Sequence, residues 1–254
     1  MADTAPVIEQ SIEIRTDDGV VDGFLYHAGT GQRPGVLFLT DIVGIRPASC
    51  DIARRLVGDG YTVLLPNVFY RTGKPPVFPF EVNHAEERTQ KRFAELAAPL
   101  TPEAMEQDAE AYIEFLTTSE FAMPGPVGVV GYCFTGAMAM RAAARCENVA
   151  ALASFHGGRL FTETPASPHL LLPRIRARLY FAHAEGDRTM PAEAIEKLNQ
   201  ALKDWHGQYE SETYSSARHG WTMADSPAYN PTQAERAYGK LTSLFEETLR
   251  ERDA

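Results

Sequence analysis

Cys133 lies in Val127-Gly128-Val129-Val130-Gly131-Tyr132-Cys133-Phe134-Thr135-Gly136, an apolar run that turns sharply, between glycines, into an Ala/Met-rich stretch. Strand, tight turn and helix in that order make a nucleophile elbow, which presents its central residue to solvent on a strained backbone. The free N–H groups and dipole of the following helix favour an anion there, so Cys133 is placed for thiolate chemistry. Most intracellular cysteines are small buried hydrophobes. That ordinary reading is kept for Cys50, early in a helix, and Cys146, near a helix end, since neither has an elbow around it.

A thiol nucleophile needs a base and a carboxylate to orient the base, and the elbow fold supplies them in the chain order nucleophile, acid, histidine. Asp187, in Glu185-Gly186-Asp187 after the apolar run Leu179–His183, is the expected acid, with Glu185 as its competitor. His219, in His219-Gly220-Trp221 after the strand Gln208–Tyr214, is the expected base. Surface or packed roles are expected for His27, His84, His169 and His206, whereas His156 and His183, at strand ends, are expected in the pocket wall. Developing negative charge on a carbonyl oxygen needs fixed N–H donors, each worth roughly 3–4 kcal/mol. Phe134, directly after the nucleophile, offers one. Ile42, in Thr40-Asp41-Ile42-Val43-Gly44 after the first long apolar strand, offers the second, with Asp41 expected beside the thiol. Trp221, Phe69, Tyr70 and Phe78 are candidates for an aromatic pocket, though ordinary packing suits each of them equally well.

The elements that must hold these residues alternate. Ile12, Ile14 and Thr16 against Glu13 and Arg15, then Asp17-Asp18-Gly19 and Val20–His27, form an N-terminal β-hairpin. Gly35–Thr40, Thr62–Leu65, Val127–Gly131, Val149–Phe155, Arg178–His183 and Gln208–Tyr214 read as strands. Helices are expected near Ser49–Val57, Pro102–Thr117, Phe134–Arg145 and Ala192–Lys203. A last helix starts at Asn230 as cap, with Pro231 at its first position and Gln233 placed to close a capping box. The fold class is therefore α/β, a mostly parallel central sheet flanked by helices, with ligands expected beyond the strands' carboxyl ends. Residues 69–101, rich in proline and phenylalanine and then charged over Glu86–Arg92, read as an active-site cover within one domain spanning residues 1–254.

Composition excludes several function classes. Among 254 residues, 44% hydrophobic and 23% charged, there is enough apolar surface for a large core, so disorder is not expected. The net charge of -10 disfavours nucleic acid and anionic lipid, and no apolar run approaches the roughly 20 residues of a membrane span. Met1–Gln10 has no basic and hydrophobic leader pattern, so a cytoplasmic location is expected. The three cysteines suggest neither a disulfide framework nor a structural zinc site. No ligand cluster or phosphate-cradling loop accompanies the elbow, so no metal and no organic cofactor are implied.

Taken together these residues resemble the dienelactone hydrolase family of α/β-hydrolases, from about Gly19 to the C-terminal helix. Gly131-Tyr132-Cys133 resembles the family's elbow, Gly186-Asp187 its acid loop, His219 its base, and Asp41-Ile42-Val43-Gly44 its Glu-Ile-x-Gly segment. The resemblance implies the α/β-hydrolase fold and hydrolysis of a small carboxylic ester or lactone. Three departures accompany it. Thr135-Gly136 stands where the family has two glycines, and Asp41 replaces a glutamate thought to meet the resting thiol. Met223 stands four residues after His219, where members acting on dienelactone carry an arginine for the substrate carboxylate. Arg88 or Arg92 could supply another cation, although solvated helix charges are the commoner reading. A less acidic, more apolar ester is therefore expected. The alternatives are a thioester or phosphotriester hydrolase, a non-catalytic small-ligand-binding protein, and a redox thiol, which the absence of Cys-x-x-Cys disfavours. The oligomeric state is not legible.

Overall fold

The computed structural model describes residues 6–250, so part of the N-terminal segment read above for a leader lies outside the described residues. Alternation sets the hairpin: β1 (Ile8–Thr16) buries Ile12 and Ile14 while exposing their neighbours, and pairs antiparallel with β2 (Gly19–His27). The remaining strands are β3 (Gly35–Leu39), β4 (Thr62–Pro66), β5 (Val127–Tyr132), β6 (Val149–Phe155), β7 (Arg178–Ala184) and β8 (Tyr209–Tyr214). They join in one sheet ordered β1-β2-β4-β3-β5-β6-β7-β8, antiparallel as far as the β2–β4 pair and parallel from β4 onward. Every residue of β3, β4 and β5 is buried, as expected of central strands covered on both faces.

Two cores result. Leu37 and Leu39 of β3 face one, closed by α3 (Pro102–Thr118), α4 (Gly136–Arg145) and α5 (Ala192–Trp205) through Ile113, Leu116, Met138, Leu198 and Leu202. Val36 and Phe38 face the other, closed by α1 (Pro47–Gly58) and α6 (Pro231–Leu249) through Ala53, Leu56, Leu241 and Phe245. Period-2 strands thus feed both layers.

Three local features differ from the sequence reading. Residues 69–101 contain the helix α2 (Glu87–Ala97), which buries Thr89 and Leu96 and half-buries Phe93, a helical spacing hidden among charges. The β6–β7 crossover holds a 3-10 helix, Pro168–Arg174. Asn230 caps α6 by accepting from the Gln233 N–H at 3.1 Å, but the Gln233 side chain donates to the Ser215 carbonyl instead of closing a capping box.

The 69–101 segment is anchored at its base. Buried Asp108 of α3 takes both outer nitrogens of Arg71, at 2.7 and 2.9 Å, and the Tyr70 hydroxyl at 3.0 Å. Farther along, Val77 lies against Gly44 in the loop after β3, where a Cβ would meet the Val77 side chain at 2.8 Å.

Candidate active site

At the end of β5 the backbone turns so tightly that Cys133 has φ +57°, a left-handed conformation that costs a non-glycine residue roughly 1–2 kcal/mol. Two close approaches explain the flanking glycines. A Cβ on Gly131 would lie 2.5 Å from the Thr135 carbonyl oxygen, and one on Gly136 would lie 2.4 Å from Ser154 Oγ. Thr135, the family departure, is fully buried: its hydroxyl accepts from the Tyr132 N–H at 3.0 Å and lies 3.0 Å from the Leu39 carbonyl. The turn is thereby tied to the end of β3, while the Gly158 N–H donates to the Cys133 carbonyl at 3.2 Å. Cys133 itself is half-buried.

The loops after β7 and β8 bring Asp187 and His219 together: His219 Nδ1 donates to Asp187 Oδ2 at 2.6 Å. The other oxygen, Oδ1, accepts from both the backbone N–H and the hydroxyl of Thr189 at 2.8 Å, so the carboxylate cannot swing. Burial opposes ionisation of Asp187, but the hydrogen bonds and charge of His219 and the Thr189 donors outweigh it and hold the carboxyl below its ordinary range. Burial likewise opposes the His219 cation, yet Asp187 and then Cys133 push its pKa up to about 10. Hydrogen bonding to Cys133 and its charge both favour the His219 cation, so the two side chains lie within reach of each other. Glu185, the competing acid, accepts from the Ser216 N–H at 2.8 Å and so pins the base loop from outside.

After β3, Asp41 Oδ1 accepts from the Val43 N–H at 3.0 Å and the Asp41 carbonyl from the Gly44 N–H at 3.0 Å. The Ile42 N–H has no such partner among the described residues. Phe134 is the second residue of the short helical turn Cys133–Thr135, where leading N–H groups have no partner within the helix.

Several expected contacts lie elsewhere. Both oxygens of Asp41 take Arg46, at 2.7 and 2.8 Å, because a buried carboxylate needs a cation. His156 and Trp221 offer substrate no surface, being 1% and 0% exposed. They pack beneath the base instead, the His156 ring centre 4.9 Å from that of His219 and 5.0 Å from that of Trp221. His156 bonds Thr222 Oγ1 at 2.8 Å, and burial followed by the His219 charge holds its pKa well below normal, so it stays neutral. His183 is also buried, bonded to Ser211. Phe69 is in the core, Tyr70 is spent on Asp108, and Phe78 packs edge-on against Phe80 and Phe93. Arg88 pairs with Glu86 over the Phe80 ring, and Arg92 donates to the Val77 carbonyl and Glu95. Met223 is buried.

Sequence reasoning missed one residue. Arg46 spans the site loops, and only the carboxylates around it could have signalled that. His84 is exposed, within the surface or packed role expected of it; desolvation and then the His219 cation lower its pKa, with Asp41 opposing.

A left-handed cysteine at the mouth of a parallel sheet, facing a histidine and a buried aspartate on later loops, belongs to a hydrolase of the α/β-hydrolase fold. Comparison with known proteins narrows the class. The model of the dienelactone hydrolase family matches residues 21–249, and the chain belongs to that family. It is 25% identical over 224 residues to a carboxymethylenebutenolidase of Rhodococcus opacus, covering 87% of this chain and 83% of that one. A crystal structure from Klebsiella pneumoniae superposes with a TM-score of 0.84 at 18% identity, covering 95% and 99% of the two chains. A dienelactone hydrolase-like promiscuous phosphotriesterase from metagenomic libraries superposes with a TM-score of 0.78 at 20% identity, covering 96% and 99%. At such identities these structures share the fold.

Proposed function

We propose that the protein hydrolyses small carboxylic esters or lactones through a Cys133–His219–Asp187 triad and an acyl-enzyme. The Cys133 thiolate, paired with the His219 imidazolium, attacks the carbonyl carbon; the carbonyl oxygen, now negative, is held by the Ile42 and Phe134 N–H groups. The tetrahedral intermediate collapses, the C–O bond breaks, and His219 gives its proton to the departing alkoxide. His219, now neutral, takes a proton from water; the resulting hydroxide attacks the thioester, and acid and thiolate leave while His219 remains protonated. Asp187 holds the imidazole in the tautomer and orientation both steps need.

The observation that carries this reading is the left-handed Cys133 backbone together with the 2.6 Å His219–Asp187 hydrogen bond. Strain of that kind persists only where the surroundings enforce it, and it collects at functional sites. The name of the Rhodococcus opacus relative points to butenolide lactones, but we place the substrate among less acidic esters, because Met223 is buried and Arg46, Arg88 and Arg92 have partners. Residues 69–101 serve as the cover of one domain, a reading supported by Val77 against Gly44 in the loop after β3. Three free cysteines suit a reducing, cytoplasmic location.

The test is turnover of p-nitrophenyl acetate and butyrate by wild type, Cys133→Ala and His219→Ala, with circular dichroism checking each fold. Loss in both folded variants is the expected result. Full activity in Cys133→Ala would remove the nucleophile and favour a binding protein.

A further inference from the structure

We propose that Arg46 is a positioning residue that sets the Ile42 N–H against the loop carrying His219; this rests on the acyl-enzyme reading above. A guanidinium has five N–H bonds, and here each has an acceptor. Nη1 donates to Asp41 Oδ1 at 2.7 Å and to the Gly44 carbonyl at 3.1 Å, and Nη2 to Asp41 Oδ2 at 2.8 Å. Nε donates to Asp225 Oδ2 at 2.6 Å, and Nη2 also reaches Asp225 Oδ1 at 3.1 Å. The planar fork thus joins two loops far apart in sequence, one holding the candidate oxyanion donor and the other following the base. Such matching of a fork to paired carboxylates fixes geometry in a way that a lysine's point charge does not.

The mechanical chain is short. Arg46 is fixed at the start of α1, where its N–H donates to Ser49 Oγ at 3.0 Å just before Pro47. Its hold on Asp41 fixes the carboxylate that accepts the Val43 N–H, and its bond to the Gly44 carbonyl holds the same turn, where Gly44 has φ +81°. Ile42 lies between these points. The saturated fork also means that Arg46 has no free N–H for a substrate anion, and the Arg46 side chain is only 14% exposed.

The test compares Arg46→Met and Arg46→Lys with wild type on p-nitrophenyl butyrate, alongside two probes of Cys133. Butyraldehyde forms a hemithioacetal whose oxygen needs the N–H donors; iodoacetamide alkylates the thiol without forming an oxyanion. Because losing a whole oxyanion donor costs about 10²–10³ in kcat, Arg46→Met should lower kcat by about 10- to 100-fold with little change in KM. Aldehyde affinity should fall in parallel while the alkylation rate holds, and Arg46→Lys should restore part of both losses. Unchanged kcat in folded Arg46→Met overturns the proposal, as does an equal fall in aldehyde binding and alkylation, which marks general loosening. If Arg46→Met does not fold, Asp225→Ala carries the test, since it removes only the tie between loops: the same split at smaller size supports the proposal and no split overturns it. Cys133→Ala run beside them separates the two failures, because activity there defeats the nucleophile itself, whatever Arg46 does.

Discussion

Asp187→Asn separates the two services that a carboxylate can perform for His219. The hydrogen bond at 2.6 Å and the negative charge together help to raise the His219 pKa from 6.5 to about 10, against burial. Removing an opposite charge at such range typically shifts a pKa by about 1–3 units, which puts the His219 value in the variant at roughly 7–9. The alkaline limb of kcat, where His219 has lost the proton it must give to the leaving alkoxide, should move down with it. At neutral pH, orientation matters more: asparagine can present its N–H to Nδ1 and hold the wrong tautomer, a change that costs serine triads roughly 10⁴ in kcat. Since a thiolate attacks without needing a base at that moment, the loss here should be smaller and depend on the leaving group. General-acid assistance is worth about 10²–10⁴, so an ethyl ester should lose at least tenfold more than a p-nitrophenyl ester, whose anion leaves unaided. The assay is kcat against pH for both esters. An alkaline limb still near 10, with an unchanged ethyl to p-nitrophenyl ratio, would refute the reasoning.

Other expectations follow from the same geometry. Asp187, held below its usual range, adds stability that is present above its unfolded value and lost on acidification; His219, raised to about 10, adds stability that is complete below 6.5 and fades toward 10. The melting difference between wild type and Asp187→Asn should therefore be greatest near pH 5–6 and small above pH 10, as thermal unfolding across pH would show. Gly131→Ala should destabilise by about 1–3 kcal/mol in chemical denaturation and reduce turnover, because its Cβ would stand 2.5 Å from the Thr135 carbonyl oxygen. Asp108→Asn leaves Arg71 only the exposed Asp18 as an ionic partner. It should cost about 3 kcal/mol in urea unfolding, the low end for breaking a buried pair.

The chain reads well where function depends on a local turn or a strand period, and poorly where it depends on what meets across the fold. The elbow at Cys133 is written in adjacent residues, because glycines at 131 and 136 are demanded by contacts within the same strand–turn–helix unit and its nearest strand. The two cores follow from strand alternation, and the Asn230 cap from one side chain reaching its own helix. Gln233 shows the limit: its spacing fits a capping box, but a carbonyl on the base loop takes its amide. Trp221 and His156 flank loop glycines and so read as pocket walls, whereas their rings fill the space under His219. Aromatic residues beside a site look the same in sequence whether they face substrate or support the base. Arg46 lies 179 residues from Asp225, a pairing no local pattern could announce.

The placement of cations also makes a substrate prediction. Arg46 is saturated by Asp41, Gly44 and Asp225, Arg92 by Val77 and Glu95, and Arg88 by Glu86, while Met223 is buried. Asp187 already balances His219, and Asp41 with Asp225 outnumbers Arg46 by one charge, so an acyl group ending in a carboxylate and lying along the loops that carry Asp41 and Asp225 meets net negative charge there, whereas the exposed Arg159, Arg188 and Arg218 stand in the loops after β6, β7 and β8. One like charge at about 8 Å, with an effective dielectric near 20, costs about 2 kcal/mol. A p-nitrophenyl ester with a terminal carboxylate should therefore show kcat/KM at least tenfold below its methyl-capped counterpart, a gap of about 1.4 kcal/mol or more. Added salt should narrow the gap by screening the repulsion, and Asp225→Asn should narrow it further by removing the more exposed of the two carboxylates. Equal kcat/KM for both esters at low salt would mean that a cation reaches the acyl chain, with Arg159, Arg188 and Arg218, exposed on the loops after β6, β7 and β8, the first to test by substitution.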